Sequence, residues 1–376
     1  MKSLVTLLLG FSLGVMTVLF WPRETDSRET VAIDTSASKK HTNVGISSLP
    51  VDEPSAQPHD NHQAIERESA SSIRDEDLEL SLEMELAKPI DADDLESWLE
   101  SKKGDSQSYG EALAIAGLLM DDADLVRHGI ETDSENEYLL YVGATLSGFS
   151  QEERAAMSQR LVAADPENVL AAYISTAYLL QAGEVDAAIE LLKSSSDRHR
   201  MDDFRSVTQL MKEEALIAAG LSPEAATFQS TFDLKMEYLS DLRDTANSLK
   251  NAESSLSPDE VSEIRFLTAT MGQRLADQSR SGYVVEHLAG LAVEEATLSG
   301  LADEAPSPYA GLTVSQAMAS IANERQEVKQ VLESFIDIQD YVSSRPNLVS
   351  GYIDRFRLVG ELEAQKWLQS AIDSER

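Results

Sequence analysis

The sequence predicts an all-α fold, a stack of helical hairpins followed by further helices, and three observations carry that prediction. Asp165 to Ser194, DPENVLAAYISTAYLLQAGEVDAAIELLKS, places apolar residues three and four apart on both sides of one glycine. That spacing is the period of two amphipathic helices. A related stretch begins at Asp133: DSENEYLLYVGATL aligns with DPENVLAAYISTAY and matches Glu135 with Glu167, Asn136 with Asn168 and Tyr141 with Tyr173. A third hairpin is predicted over Phe204 to Ala219, then Gly220, then a helix from Ser222-Pro223-Glu224. One hairpin cannot cover its own apolar face, so copies in tandem imply stacking.

Within the central hairpin, Asp165 is the expected N-cap and Pro166 the first helical residue, where its missing N–H is harmless. Val169, Ala172, Tyr173, Ile174, Ala177, Leu179 and Leu180 then form the buried face, and Ala182-Gly183 supplies the turn. Glycine suits a helix end because it enters the left-handed region without strain. Val185, Ala188, Ile189, Leu191 and Leu192 define the second helix.

From Asp133 to Leu234 the chain resembles the tetratricopeptide repeat family, on Asp165-Pro166 at a repeat junction, Gly183 at the turn, and Ala188, Ile189 and Leu192 on the second helix. It departs from the family at Ala172, Ser175-Thr176 and Leu179, where a large aromatic, a Leu-Gly pair and a Tyr are usual. The resemblance implies a right-handed stack whose first helices line a concave surface. It puts Tyr141, Thr145, Tyr173, Ala177 and Gln181 on that surface, as contacts for an extended or helical partner segment. Tyr173 and Ala177 stand where some members carry the Asn and basic residues that clamp a peptide carboxylate, so that mode is not implied.

Of 376 residues, 66 are acidic and 31 basic, a net charge of −35, and none is cysteine. A phosphate backbone needs a basic stripe, so nucleic acid is an unsuitable partner. Without cysteine there is no disulfide, thiolate metal site or cysteine nucleophile.

Taken in order, residues 1–3 form a short cytoplasmic tip, and 4–21 are uncharged and apolar enough, at about 27 Å of helix, to span a bilayer. The run ends Phe20-Trp21-Pro22-Arg23, without the small residues of a cleavage site, which favours an uncleaved signal-anchor. Gly10 and Gly14 form a G-x-x-x-G pair that would let two such helices pack closely. Residues 22–74, polar and acidic without apolar periodicity, read as a disordered linker. The repeats are assigned to 75–255 and a C-terminal helical region to 256–376. In that region Ser257-Pro258-Asp259-Glu260 and Thr313-Val314-Ser315-Gln316 are capping boxes. The second opens a helix to Ser343 with Val314, Ile321, Val328 and Phe335 at heptad spacing. Packing on the final segment, Leu348 to Ile372, is the preferred reading and a coiled-coil homodimer the other.

The chain lacks the G-x-S-x-G, H-E-x-x-H, G-x-x-x-x-G-K and EF-hand patterns, and His128, His199 and His287 lie in separate elements. The reading is therefore no enzyme, with no catalytic residue, metal or cofactor assigned. The expected function is that of a scaffold or assembly factor, anchored in a bacterial inner membrane with its bulk in the periplasm, that holds a partner polypeptide. The alternatives are a chaperone-like holder of exported chains and, third, an all-helical hydrolase.

Overall fold

The computed structural model describes residues 85–233, 236–278, 282–343 and 345–375; the expected membrane segment with Gly10 and Gly14, and the linker, lie outside them. The described residues form fifteen α-helices and no strand, only two isolated bridges. In order they are α1 Ala92–Lys102, α2 Ser106–Met120, α3 Ala123–Thr132, α4 Glu137–Thr145, α5 Gln151–Ala164, α6 Val169–Gln181, α7 Val185–Ser194, α8 Arg205–Ala218, α9 Pro223–Phe232 and α10 Tyr238–Ala252. They continue as α11 Pro258–Gln278, α12 Val284–Leu298, α13 Val314–Ser343, α14 Pro346–Val359 and α15 Glu361–Glu375.

Local chemistry sets the helix ends. The Ser257–Glu260 box closes as expected, with Ser257 N donating to Glu260 Oε2 at 2.9 Å and Glu260 N to Ser257 Oγ at 3.4 Å. Thr313 and Gln316 do the same at the start of α13. Gly183 and Gly220 turn the chain with φ of 80° and 89°, a region that favours glycine.

One expected cap moves. α6 is capped by Asn168, whose Oδ1 accepts from Leu170 N at 3.1 Å, and not by Asp165. Asp165 instead ends α5 and accepts from the Arg200 guanidinium. The same holds one copy earlier, where Asn136 caps α4. The matched Asn pair, not the matched Asp pair, starts the first helices. Asn168 is buried and also binds the backbone of Asp202 in both directions, at 2.9 and 3.0 Å, which ties the hairpin to the chain leaving α7.

The hairpins α2–α3, α4–α5, α6–α7 and α8–α9 pack internally, and α3 meets α4 as α5 meets α6. The first helices α2, α4 and α6 also touch in succession. After α7 the succession changes. α8 turns back onto α1 and α2, and α10 lies along α6 and bridges to α12. One extended core follows, from Leu95 and Trp98 through Leu139, Leu170 and Ile174 to Leu242, Ile264 and Met271.

Three heptad residues of α13, Val314, Ile321 and Val328, are used within the chain. Val314, Ala317 and Ile321 pack with Leu291 and Leu298, and Val328 and Leu332 with Val284 and Leu288. Gly360, with φ of 87°, splits the last segment into α14 and α15. Tyr352 and Phe356 of α14 stack with Phe232 of α9.

Two hairpins cross at bare backbone. A Cβ on Gly129 would lie 2.6 Å from Gly110 O, and one on Gly290 would lie 2.5 Å from Ala276 N and 2.6 Å from Gly272 O. No side chain can retreat from such contacts, so the helices must separate. Gly290→Ala is expected to lower stability by about 1–3 kcal/mol, the usual range for overpacking, and a thermal melt followed at 222 nm checks it. An unchanged midpoint would contradict the close crossing of α11 and α12.

Candidate functional site

The inner face of α2, α4 and α6 is covered by the chain itself. Tyr141 on α4 is 8 % exposed, its ring 5.3 Å from Phe204 and 6.4 Å from Tyr238 by centroid. Tyr173 on α6 is 3 % exposed, and its hydroxyl accepts from Arg274 Nη1 of α11 at 3.1 Å. Ala177 is buried. Thr145 is half-buried and donates to Tyr141 O at 3.0 Å. Gln181 alone of the five is exposed, and it accepts from Gln151 Nε2 at 2.9 Å. The open concave groove expected from the repeats is thus filled by α8, α10 and α11.

What remains there is a cleft of about 60 Å³ between α4, the start of α8 and the start of α10. It brings together Tyr141, Thr145, Asp203, Arg205, Lys212 and Tyr238. Tyr173, Ala177 and Gln181 are not part of its wall. Its volume suits a few waters rather than a peptide segment.

A buried ionic network forms one side. Arg205 donates through Nη2 to Asp203 Oδ2 at 2.6 Å and to Glu286 Oε1, and its guanidinium lies 4.7 Å from the Tyr283 ring centroid. Glu286 further accepts from the Tyr238 hydroxyl at 2.7 Å and from Tyr283 N at 3.0 Å. Tyr283 receives a hydrogen bond from Gln209 at 3.2 Å and donates to Thr231 O. Five elements therefore meet here: α8, α9, α10, α12 and the turn carrying Asp203.

Burial works against the Arg205 charge, but Glu286 and Asp203 outweigh it and hold its pKa above the ordinary value. Burial also raises Glu286, and Arg205 offsets that only in part. The phenols of Tyr141 and Tyr238 are raised by burial as well, with the neighbouring Asp203 and Glu286 adding to it. Lys212, buried on the inner side of α8, donates to Asp233 O at 2.5 Å and Asp233 Oδ2 at 3.2 Å. Thr208 Oγ1 donates back along the helix to Phe204 O at 3.0 Å. Asp203, Arg205, Thr208, Lys212 and Tyr238 are each engaged with protein partners, which is the chemistry of a structural joint.

The sequence reading missed this network because its members, 81 residues apart for Arg205 and Glu286, share no motif. A signal existed for one of them. On α8 the positions Thr208, Lys212, Ala215 and Leu216 recur at helical spacing, which sets Lys212 on the packed side.

The same period turns Val207, Leu210 and Ile217 outward, within an arc of about 80° at roughly 100° per residue. Leu210 is 69 % exposed. Leu358 is 79 % exposed and follows Arg357, whose guanidinium meets Glu213 of α8 at 2.7 Å. Glu213 lies between Leu210 and Ile217 in sequence. The second surface feature is therefore an apolar stripe on α8, formed by Val207, Leu210 and Ile217. Among the described residues no group of three or more His, Asp or Glu side chains is placed to hold a metal ion, and no helix is long and apolar enough to cross a membrane.

Removing one partner of a buried ion pair leaves the other uncompensated. Arg205→Met is expected to destabilise the fold by about 3–5 kcal/mol at pH 8. Glu286 then binds a proton more tightly folded than unfolded, so the deficit should shrink as pH falls toward 5. Thermal melts at the two pH values check both statements, and a loss of under 1 kcal/mol, or one that grows on acidification, would contradict the network. Compared with known proteins, the chain matches no family model, no curated protein and no solved structure, so the work of its cleft and stripe follows from their own chemistry.

Proposed function

We propose that this chain is a membrane-tethered interaction scaffold whose tetratricopeptide-like hairpins form a rigid body, and that it holds a partner polypeptide on the outward face of α8. The exposed stripe of Val207, Leu210 and Ile217 is the observation that carries the reading. A contiguous exposed apolar surface marks an interaction site in a folded protein. The filled inner face argues against a peptide lying in the concave groove, so the partner surface moves to the outside.

The occupant is an amphipathic helix with an apolar stripe flanked by Lys and Arg. α8 offers a helix face of 14 residues, about 21 Å at 1.5 Å per residue, the length of a four-turn ligand helix. The −35 net charge sets the sign of the flanks, because a positive partner is drawn in by the long-range field and a second copy of this chain is repelled. The apolar run over residues 4–21 supplies the tether, with the repeats on the periplasmic side.

Binding of synthetic helices to the full-length protein in detergent micelles tests this, read by fluorescence anisotropy. A peptide with a Leu stripe and Lys flanks is expected to bind, and the same stripe with Glu flanks to bind at least tenfold more weakly. Leu210→Asp with Ile217→Asp should weaken the basic peptide by more than tenfold, since each apolar side chain buried on docking contributes about 1.5–3 kcal/mol. Equal binding of the two peptides, or a double variant that binds like the parent, would remove α8 as the docking face. For the tether, an alkaline carbonate wash is expected to leave the protein in the membrane pellet; its appearance in the supernatant would refute the anchor.

A further inference from the structure

One phenol in the wall of the cleft between α4, α8 and α10 has nothing in the protein to bind. Tyr141 is 8 % exposed and lines the cleft, and among the described residues its hydroxyl meets no hydrogen-bond partner. A polar group held in the interior without a partner is costly, so the partner comes from whatever fills the cleft. The space is about 60 Å³, room for about four or five non-hydrogen atoms at roughly 10–15 Å³ for each water-sized position.

The other side-chain donors of the wall are committed within the protein. Arg205 turns Nε and Nη2 to Asp203, Nη2 also reaches Glu286, and Nη1 lies against Gly282. Lys212 is held by Asp233, the Tyr238 hydroxyl by Glu286, and the Thr145 and Thr208 hydroxyls by backbone carbonyls. The acceptors are less fully used. Glu237 takes two hydrogen bonds from Ser147 and Asp203 takes three from Arg205, whereas a carboxylate offers about four lone-pair positions. Charge points the same way. At the wall and directly behind it, Asp203, Glu237, Glu286 and Asp233 face Arg205 and Lys212, four carboxylates to two cations. Glu237 also stands at the N-cap of α10, where its charge opposes the positive end of that helix.

We propose that the cleft is a binding site for a protonated primary alkylamine, with Tyr141, Asp203 and Glu237 receiving the ammonium and Leu118, Val142 and Met236 covering the alkyl part. An alkylammonium has three N–H donors, no acceptor and one positive charge, which is the complement of a wall with spare lone pairs and surplus carboxylates. Two sources present that chemistry: a free small amine, and the aminobutyl end of a lysine side chain. A small carboxylate fits the volume equally well but meets the excess of negative charge. The site is separate from the outward stripe of α8, because that helix turns Thr208 and Lys212 to the cleft.

Calorimetric titration of the full-length protein in uncharged detergent micelles tests the site at neutral pH, where propylamine is protonated, with micelles alone as the blank. Propylamine is expected to saturate at one molecule per chain. Acetate and propan-1-ol, of the same size but negative and neutral, should bind at least tenfold more weakly. Tyr141→Phe keeps the ring and removes the oxygen, and Glu237→Gln removes a charge; each should weaken propylamine at least tenfold, the scale of one hydrogen bond to a charged group. Nα-acetyl-lysine methylamide separates the two sources: binding tighter than propylamine assigns the site to a lysine side chain, weaker binding assigns it to a free amine, and both uphold the proposal. No saturation with either amine, acetate or propan-1-ol binding as tightly as propylamine, or full affinity in both variants would overturn it.

Discussion

The buried pairing of Arg205 with Glu286 is the constraint on which the arrangement of the helices depends. Two charges taken out of water are expensive unless each finds hydrogen-bond partners. Here the partners come from every direction: Asp203 beside the arginine, the Tyr238 hydroxyl and the Tyr283 backbone beside the carboxylate, and the Tyr283 ring beneath the guanidinium. Satisfying them requires α8, α10 and α12 to arrive at one point. The pair thus specifies where three helices distant in sequence must meet, while the apolar core supplies the bulk of the stability.

That meeting changes what the hairpins present. Three hairpins in succession would leave the inner faces of α2, α4 and α6 open, and an open face of this kind is where a partner segment would lie. The return of α8 onto α1 and α2, and of α10 onto α6, closes it from within. Tyr141 and Tyr173, aromatic residues at matched positions of two copies, then serve as core packing against Phe204 and Tyr238 and as an acceptor for Arg274. Covering one face exposes another. α8 has apolar residues on two sides, and the side that does not face α2 carries Val207, Leu210 and Ile217 into solvent.

A strongly acidic chain that folds into a dense helical body also buries some of its acids. Glu286, Glu294 and Glu361 are all buried around α12, and among the described residues only Glu286 has an arginine in contact. Glu361 accepts from Val284 N and Gln365, the Tyr309 phenol lies beside Glu294, and burial, with neighbouring carboxylates adding to it, moves both toward neutrality. Excess acidity on the surface favours solubility; in the interior it becomes sensitivity to pH.

The helices themselves were largely legible in the sequence. Capping boxes at Ser257–Glu260 and Thr313–Gln316, the turn glycines Gly183 and Gly220, and the three-and-four spacing of apolar residues act over a few residues, so local chemistry decides them. Even there the start of α6 went to Asn168, because Asp165 was drawn to Arg200, 35 residues away. The candidate site was legible only as positions: Tyr141 and Thr145 do line the cleft, but nothing in their neighbourhood says that Phe204 and Tyr238 cover them. By itself the sequence determined an all-helical chain of hairpins with a large negative charge, since periodicity and composition are local or summed quantities. Only the tertiary structure decided which faces are inside and the pairing of Arg205 with Glu286. Those depend on how helices far apart in the chain pack, and an amphipathic helix specifies that it has a buried side without specifying what buries it.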